Sequence, residues 1–417
     1  AADNNLRYCE RIEATNPCVT ADTWVQTTDG PRQVRELMGR RFEAVVQGAA
    51  YPLASEGFFA TGRKPVLRLR TRQGHQLRLT ADHLVRRVSK RTRWVPESGW
   101  TAAGDLRPGD EIVLHDHRSL LGWGGPGGEA EGYVLGLLIG DGVLKQDKAV
   151  LSVWSPALVR AANGGAGVPA ADDGVAGVMR AAETALRSLP HRSDFAGWQR
   201  PVAGRGECRM ASAALRELAL SWGMKPGHKT VTEAMERGSS DFYAGVLRGL
   251  FDADGSVQGD QAKGVSVRLT QADEELLGRV QRMLLRLGIA SVIYRQRKPA
   301  GFTTLPDGRG GRAGYAVQPL HELVISGENL ERFARCVGFE DGDKAARLDA
   351  LLASYRRRLN RERFIATVES LEADGEEDVY DVTVAEVHAF DANGLVVHNC
   401  GEQPLPPYGC CDLGPII

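Results

Sequence analysis

At 417 residues the chain is long enough for two or three domains, and 42% apolar with 6% aromatic residues can fill ordinary cores, which excludes disordered and fibrous classes. The 52 basic and 53 acidic residues nearly cancel, so any contact with nucleic acid must rest on local patches rather than on net charge. The opening AADNNLRYCE lacks a basic-then-apolar pattern and apolar runs such as Tyr133 to Ile139 are too short to span a bilayer, which predicts a soluble, cytoplasmic protein with no membrane contact.

From Val19 to about Leu114 the sequence reads as short strands broken by turn residues. Its clearest hairpin runs from Val66 to Arg70, turns around Gly74 and returns from Gln76 to Thr80, with leucines on one face. The Gly122 to Gly128 stretch separates this segment from one of helical periodicity, and a domain boundary is expected there. Between about Glu129 and Arg358 amphipathic helices follow. One is expected over Ala272 to Leu287, with Asp273 and Glu274 suited to its start and Gly288 to its stop, and another from about Asn329 to Val337. Ala161 to Gly177, rich in Ala, Gly and Asp, reads as a loop or insertion. After Arg363 strands return at Phe364 to Glu369, Val379 to Val384 and Leu395 to His398, so a β-rich domain is interrupted by an α/β insert.

The seven cysteines show no metal-ligand spacing, and an odd number argues against a closed disulfide framework. Thiol chemistry fits better. The Cys18 thiol can attack the Pro17 carbonyl and convert an amide into a more reactive thioester. A thiol at Cys400 held opposite can take the acyl group, leaving only the Asn399–Cys400 bond to be cut. The Asn399 side-chain nitrogen can attack its own carbonyl and close a succinimide. His398 can support the developing oxyanion or protonate the leaving nitrogen, and His388 is a second candidate.

Cys18, Thr80-Ala81-Asp82-His83, Val379 to Val384 through Phe390, and Val397-His398-Asn399-Cys400 together resemble the borders of an intein. The resemblance implies an all-β, horseshoe-like splicing domain of the Hint type that needs no cofactor. It also implies that Thr80 and His83 bind and distort the Pro17–Cys18 peptide and that Asp381 assists thiol exchange. Distortion matters because an amide resists twisting, about 1 kcal/mol for ~12°. Pro17 departs from easy chemistry, since its ring crowds the carbonyl to be attacked, and predicts a slow first step.

Joined, the flanks read NNLRYCERIEATNP then CGEQPLPPYGCCDLGPII, which resembles the Asn-Pro-Cys-Gly-Glu stretch of an adenosylcobalamin-dependent ribonucleotide reductase. By that resemblance Asn16, Cys400 and Glu402 come together only after splicing, with Cys400 as the radical carrier and the host reductase as the spliced product.

Within the insert, Val134-Leu135-Gly136-Leu137-Leu138-Ile139-Gly140-Asp141-Gly142 and Leu247-Arg248-Gly249-Leu250-Phe251-Asp252-Ala253-Asp254-Gly255 look like a duplication. Gly136 with Gly140, and Gly249 with Ala253, fall on one helical face and let two backbones approach, with Gly142 and Gly255 as helix stops. Asp141 and Asp254 would then meet at two negative helix ends, which favours a divalent cation and phosphodiester hydrolysis. The pair is similar to the LAGLIDADG homing endonucleases. That resemblance implies two pseudo-symmetric αββαββα halves, Mg2+ held by Asp141 and Asp254, and cleavage of double-stranded DNA at the host-gene insertion site by a monomer. Lys229, in His228-Lys229-Thr230-Val231, matches the family's lysine motif better than Lys225, and Arg268, Arg295, Arg297 and Lys298 are candidate DNA contacts. The run from Arg86-Arg87 to Arg93 reads as a solvated loop.

The expected division is 1–17 and 400–417 as host flanks, 18–121 and 359–399 as two parts of the splicing domain, and 122–358 as the endonuclease domain. Two other readings remain open: a hedgehog-type autoprocessing domain, which the His398-Asn399-Cys400 exit disfavours, and a DNA-binding protein with relic splicing residues.

Overall fold

The structure is a computed structural model that describes residues 18–90, 97–154, 174–191, 193, 195–199, 206–260, 264–306, 312–355 and 358–399. Pro17, Cys400, Arg93, Asn16, Glu402 and both flanks therefore lie outside the described residues.

Two long antiparallel strands, Phe59–Thr71 and Ile365–Asp381, form the spine of a nine-stranded sheet. Across it run Val19–Thr20, Gln76–Leu79, Phe59–Thr71, Ile365–Asp381, Glu111–Val113, Leu84–Lys90, Leu395–His398 and Ala389–Ala392, with Glu97–Ala102 beside Leu84–Lys90. Strands from the two ends of the sequence are thus interleaved. The expected hairpin forms with Leu67 opposite Leu79 and Leu69 opposite Leu77, and Leu69, Leu77 and Leu79 are fully buried because alternate residues share a face. Phe364 to Glu369 and Val379 to Val384 are not separate strands. The acidic stretch between them continues as ladder against Phe59–Thr71 with three register shifts, which polar, exposed residues conceal from a hydrophobic pattern.

One apolar core gathers Val19 to Leu114 with Phe364 to Val397, and a second gathers Trp123 to Leu348. The second is organised by two helices, Glu129–Asp141 and Ser240–Asp254. Each leads into antiparallel strands. After the first come Gly142–Leu144, Ala149–Trp154 and Glu207–Ser212; after the second, a four-stranded sheet in the order Gly255–Asp260, Gly264–Gln271, Leu320–Ser326, Val292–Lys298. The second half follows the expected αββαββα order with an extra hairpin, Gly301–Pro306 and Arg312–Val317, before its last strand.

Glu274–Arg286 begins as expected, with the Asp273 carboxylate accepting from the Glu275 and Leu276 amides, and is followed by Gly288 at φ +76°. Asn329–Cys336 is also helical. The reading of Ala161 to Gly177 as a loop is corrected at its end, where the helix Gly174–Ser188 begins. A side chain at Gly177 would strike the Glu340 carbonyl, so its small residues serve packing against Gly342–Ala353 rather than a turn. No helix of the described residues is long and apolar enough to cross a membrane.

Candidate active sites

Cys18 is fully buried at the start of Val19–Thr20, a strand held between Leu79 and Tyr380. Its amide N–H donates to the Thr80 hydroxyl at 3.1 Å, and the Thr80 amide donates to the Cys18 carbonyl at 3.0 Å. Thr80 therefore holds Cys18 on both sides, through the N–H of the candidate scissile amide and through the carbonyl of the next peptide unit. A turn closed by His83 N–H to the Thr80 carbonyl carries the chain to His83, whose buried ring lies against backbone groups of both Cys18 and His398. Neither ring nitrogen completes a hydrogen bond of good geometry with the described residues. Burial above all holds this imidazole down at about 4, so it is neutral at pH 7 and able to take or give a proton.

The exit strand Leu395–His398 pairs Ala389 with His398, and the Asn399 amide donates to the His388 carbonyl at 3.2 Å. His398 lies edge-on to Trp100 at 4.8 Å and stacks on His388 at 6.3 Å. Burial lowers the His398 pKa. His388 itself is exposed and adopts φ +46°. Asn399 and Asp381 are fully buried, and the Asp381 charge reaches Cys18. The structure thus gathers Cys18, Thr80, His83, Asp381, His398 and Asn399 around one locus, with His388 at its rim.

Sequence reasoning missed two residues here. The Thr61 hydroxyl is 2.7 Å from the Cys18 sulfur, and the Lys64 ammonium is 3.6 Å from it. It also missed a buried trio, Asp391 on the strand Ala389–Ala392 with His115 and His117 from the segment that follows Glu111–Val113. There Gln47 N–H donates to His115 Nδ1, His115 Nε2 donates to the Phe390 carbonyl, and His117 Nε2 donates to Asp391 at 2.9 Å. Burial opposes the Asp391 charge, but His115, His117 and Arg286 outweigh it and hold the carboxyl at about 2.

The second locus lies where the helices Glu129–Asp141 and Ser240–Asp254 pack. Side chains at Gly132 and Gly136 would overlap the Phe242 and Val246 carbonyls, and at Gly245 and Gly249 those of Glu129 and Tyr133. The glycine face is therefore longer than Gly136 with Gly140 and Gly249 with Ala253. Gly142 and Gly255 do end the helices, but with φ −98° and −79° rather than in the left-handed region; a side chain there would strike Leu138 or Phe251.

This approach brings Asp141 and Asp254 together. Burial first, then the Asp254 charge, raises the Asp141 pKa; burial raises that of Asp254, whose carboxylate accepts from Gln271 at 2.6 Å. Lys229 reaches the site, its ammonium 2.5 Å from the Gly140 carbonyl, whereas Lys225 is exposed. Lys344, which sequence reasoning missed because it lies far along the chain, faces both acids and donates to the Phe251 carbonyl at 3.2 Å. Two crowded carboxylates that resist ionisation fit a divalent cation, because hard oxygen donors with excess negative charge are what such an ion takes.

Of the four candidate DNA contacts, Arg268 pairs with Glu322 at 3.2 Å, and Arg297, stacked over Tyr294, lies 3.5 Å from the same carboxylate. Lys298 is exposed. Arg295 is engaged elsewhere, clamped by Glu274 and Glu369 at 2.6 Å each. Arg86 lies over Trp100 and Arg87 pairs with Asp110, so neither sits in a free loop.

Residues 241–338 match the family model of a LAGLIDADG-like domain. Over 416 aligned residues the chain is 26% identical to the alpha subunit of a ribonucleoside-diphosphate reductase, NrdEB, of Bacillus subtilis, covering 95% of this chain and 37% of that protein. It is also 26% identical to the replicative DNA helicase DnaB of Rhodothermus marinus, with 93% and 46% covered. The chain thus spans less than half the length of these curated relatives. Among solved structures it is similar to a mutant of an Ssp DnaB mini-intein variant, at 11% identity and TM-score 0.28, covering 92% of this chain and 99% of that one. It is also similar to I-DmoI in complex with DNA and Mn, at 17% identity and TM-score 0.27, covering 50% and 96%.

Proposed function

We infer that this chain, an intein interrupted by a LAGLIDADG-like homing endonuclease domain, excises residues 18–399 and joins its flanks. The observation that carries this is the single imidazole of His83 lying against the backbones of both Cys18 and His398, the two ends of the excised segment. In the first step the Cys18 sulfur bonds to the Pro17 carbonyl carbon as the Pro17–Cys18 amide breaks. Thr80 holds the peptide, and His83, neutral at rest, takes up the proton that the thiol gives up and passes it to the departing nitrogen. Cys400 then takes the acyl group, assisted by Asp381. Asn399 cyclises with His398, and His388 at the rim, supporting the carbonyl under attack. The freed amine displaces the thioester and leaves an ordinary peptide bond. With flanks resembling a reductase active-site stretch, the product is a reductase segment whose Cys400 gains its neighbours only on excision.

For the insert, we propose cleavage of double-stranded DNA at the uninterrupted host-gene site, with domain limits near 122 and 358. Both acids come from one chain, so a monomer suffices. Asp141 and Asp254 would hold Mg2+, which supplies charge stabilisation to a phosphodiester under attack. Lys229 is placed to orient the attacking water or the phosphate. Arg268, Arg297 and Lys298 face the polyanion from the sheet, and Arg295 could join only by releasing Glu274 and Glu369.

Mass spectrometry of the full chain incubated with reductant tests splicing directly. The expected products are the 18–399 fragment and the joined flanks. Cys18→Ala should stop thioester formation, and Asn399→Ala should leave the acyl group on sulfur with the exit bond intact. A wild-type chain that stays whole under these conditions refutes the reading. Release of the 1–17 segment without joined flanks favours hedgehog-type processing.

A further inference from the structure

We propose that Thr61 and Lys64 are catalytic residues of the first acyl shift, Thr61 accepting the Cys18 thiol hydrogen and Lys64 stabilising the thiolate as it forms. The proposal rests on the splicing reading and adds two groups that touch the reacting sulfur. Thr61 Oγ1 lies 2.7 Å from Cys18 Sγ and 3.1 Å from the Val379 carbonyl. A hydroxyl has one hydrogen, and a carbonyl can only accept, so that hydrogen goes to Val379 and a lone pair faces the thiol. The thiol is therefore the donor, and its S–H bond points along a fixed line. The Lys64 ammonium, 3.6 Å from the same sulfur, adds positive charge where negative charge develops.

Two residues three apart on a regular strand face opposite sides of the sheet. They share the sulfur here because the ladder slips between them. Asp381 opposes Phe59, Tyr380 opposes Ala60 and Val379 opposes Gly62, so Thr61 is the extra residue of a bulge. Gly62, at φ +105°, supplies a backbone conformation that residues with a side chain rarely adopt. Such bulges re-aim side chains next to active sites. Without the slip, Lys64 would project from the other face.

Other titratable groups lie near the thiol: the Asp381 charge from the neighbouring strand and the Asp82 charge from the Thr80–His83 turn, with the neutral His83 ring against the Cys18 backbone. Burial is the largest influence and pushes the thiol up to about 11. The Lys64 charge pulls it back, while Asp381 and Asp82 push the same way as burial. Atoms balance without an external acid or base. The sulfur gains the Pro17 acyl carbon, the Cys18 nitrogen loses it, and the thiol proton finishes on that nitrogen by way of His83.

The test is the rate at which hydroxylamine releases the 1–17 segment from the full chain carrying Asn399→Ala, followed from pH 6 to 9. Adding Lys64→Met should slow release about tenfold at pH 7, move the rise of rate with pH upward by about one unit, and narrow the deficit at high pH, a tenfold change corresponding to one pKa unit. Lys64→Arg should recover most of the rate, and Thr61→Ser should outperform Thr61→Val. A Lys64→Met chain with the parent's rate and profile overturns the proposal. So does an equal deficit at every pH that Lys64→Arg does not repair, because that is the signature of a structural role. If the Asn399→Ala parent releases nothing, the splicing reading itself falls and the proposal falls with it.

Discussion

The same substitution, Gly to Ala, should have opposite signs at two helical positions of this protein, because only one of them faces a backbone. In an unconstrained helix Ala is better than Gly by about 1 kcal/mol, since it loses less backbone entropy. Gly278, on Glu274–Arg286, has open space around the added methyl, so Gly278→Ala should stabilise by about that amount. At Gly249 the methyl would overlap the Tyr133 carbonyl oxygen and lie 2.8 Å from the Leu137 nitrogen, atoms that no rotamer can move away. Separating the two motif helices is the only relief. Overpacking of this kind costs typically 1–3 kcal/mol, and because the propensity gain is common to both positions, the two variants should differ by about 1–3 kcal/mol. For a unit of ~150–250 residues that is several degrees in melting temperature, at 2–4 °C per kcal/mol. Differential scanning calorimetry of both variants in a Cys18→Ala, Asn399→Ala background, where splicing cannot intervene, measures the difference. Equal shifts at the two positions would show that the helices are not in the contact described and that the carboxylates need not meet.

Asp141→Asn and Asp254→Asn should each abolish magnesium-dependent cleavage of a DNA duplex carrying the uninterrupted insertion site while leaving gel-shift binding within about threefold, an order-of-magnitude expectation for removing an ion ligand rather than a phosphate contact. Since burial already disfavours the Asp141 charge, Asp141→Asn should melt no lower than the parent, and a lower melting temperature counts against that account. Pro17→Gly should speed thioester formation by relieving crowding at the carbonyl, and an unchanged or lower rate of hydroxylamine release contradicts this. His75, His83 and His115 are each held at about 4 chiefly by burial, against about 6.5 unfolded. A lowered histidine binds its proton more readily in the unfolded chain, so this stability is complete above pH 6.5 and drains as pH falls toward 4. Hydrogen exchange in Gln76–Leu79 and Leu84–Lys90 should accelerate from pH 7 to pH 5 after correction for intrinsic rates. Unchanged protection would refute it.

What the sequence disclosed followed the range over which each signal acts. The leucine hairpin was legible because its period of two is local and its buried face unbroken. Cys18, Thr80, His83, His398 and Asn399 were legible because their chemistry dictates residue type and order near the borders. The duplicated glycines were legible because close helix packing requires them every fourth position. Thr61 and Lys64 were not, since a register slip reverses the alternation that a strand pattern assumes. Lys344 was hidden by distance along the chain, and Arg295 by partners, Glu274 and Glu369, that meet only in three dimensions. The continuous strand Ile365–Asp381 was hidden by its own middle, where acids pair with basic residues of neighbouring strands, as Asp374 does with Arg68 of Phe59–Thr71 and Arg78 of Gln76–Leu79.

The insert is joined to the splicing sheet by more than its two connections, and the contacts fall at a telling place. The turn Asn393–Gly394 starts the strand that ends in His398. Asn393 is fixed by its amide and side chain to the Trp24 backbone and by a second side-chain bond to the Gln76 carbonyl, and Gly394 is pressed so closely by Leu285 that a side chain would overlap it. Leu285 and Arg286 end the insert's helix, and Arg286 lies over the Trp24 ring while bonding Tyr243 and Glu236. Glu236 is buried and ionised because Arg282 and Arg286 offset the effect of burial, and a buried charge left alone by loss of its partner costs several kcal/mol, about 3–5. Arg35 with Glu233, Arg237 with Glu36 and Arg118 with Glu328 continue the seam. These pairs are partly exposed and individually worth little, so they set orientation more than strength. Leu285 and the buried charges do the holding. A chain shorn of the insert would expose the face that Leu285 and Arg286 cover, beside the turn that leads into Leu395–His398, so in the splicing proposed above the insert would support the exit step through that turn.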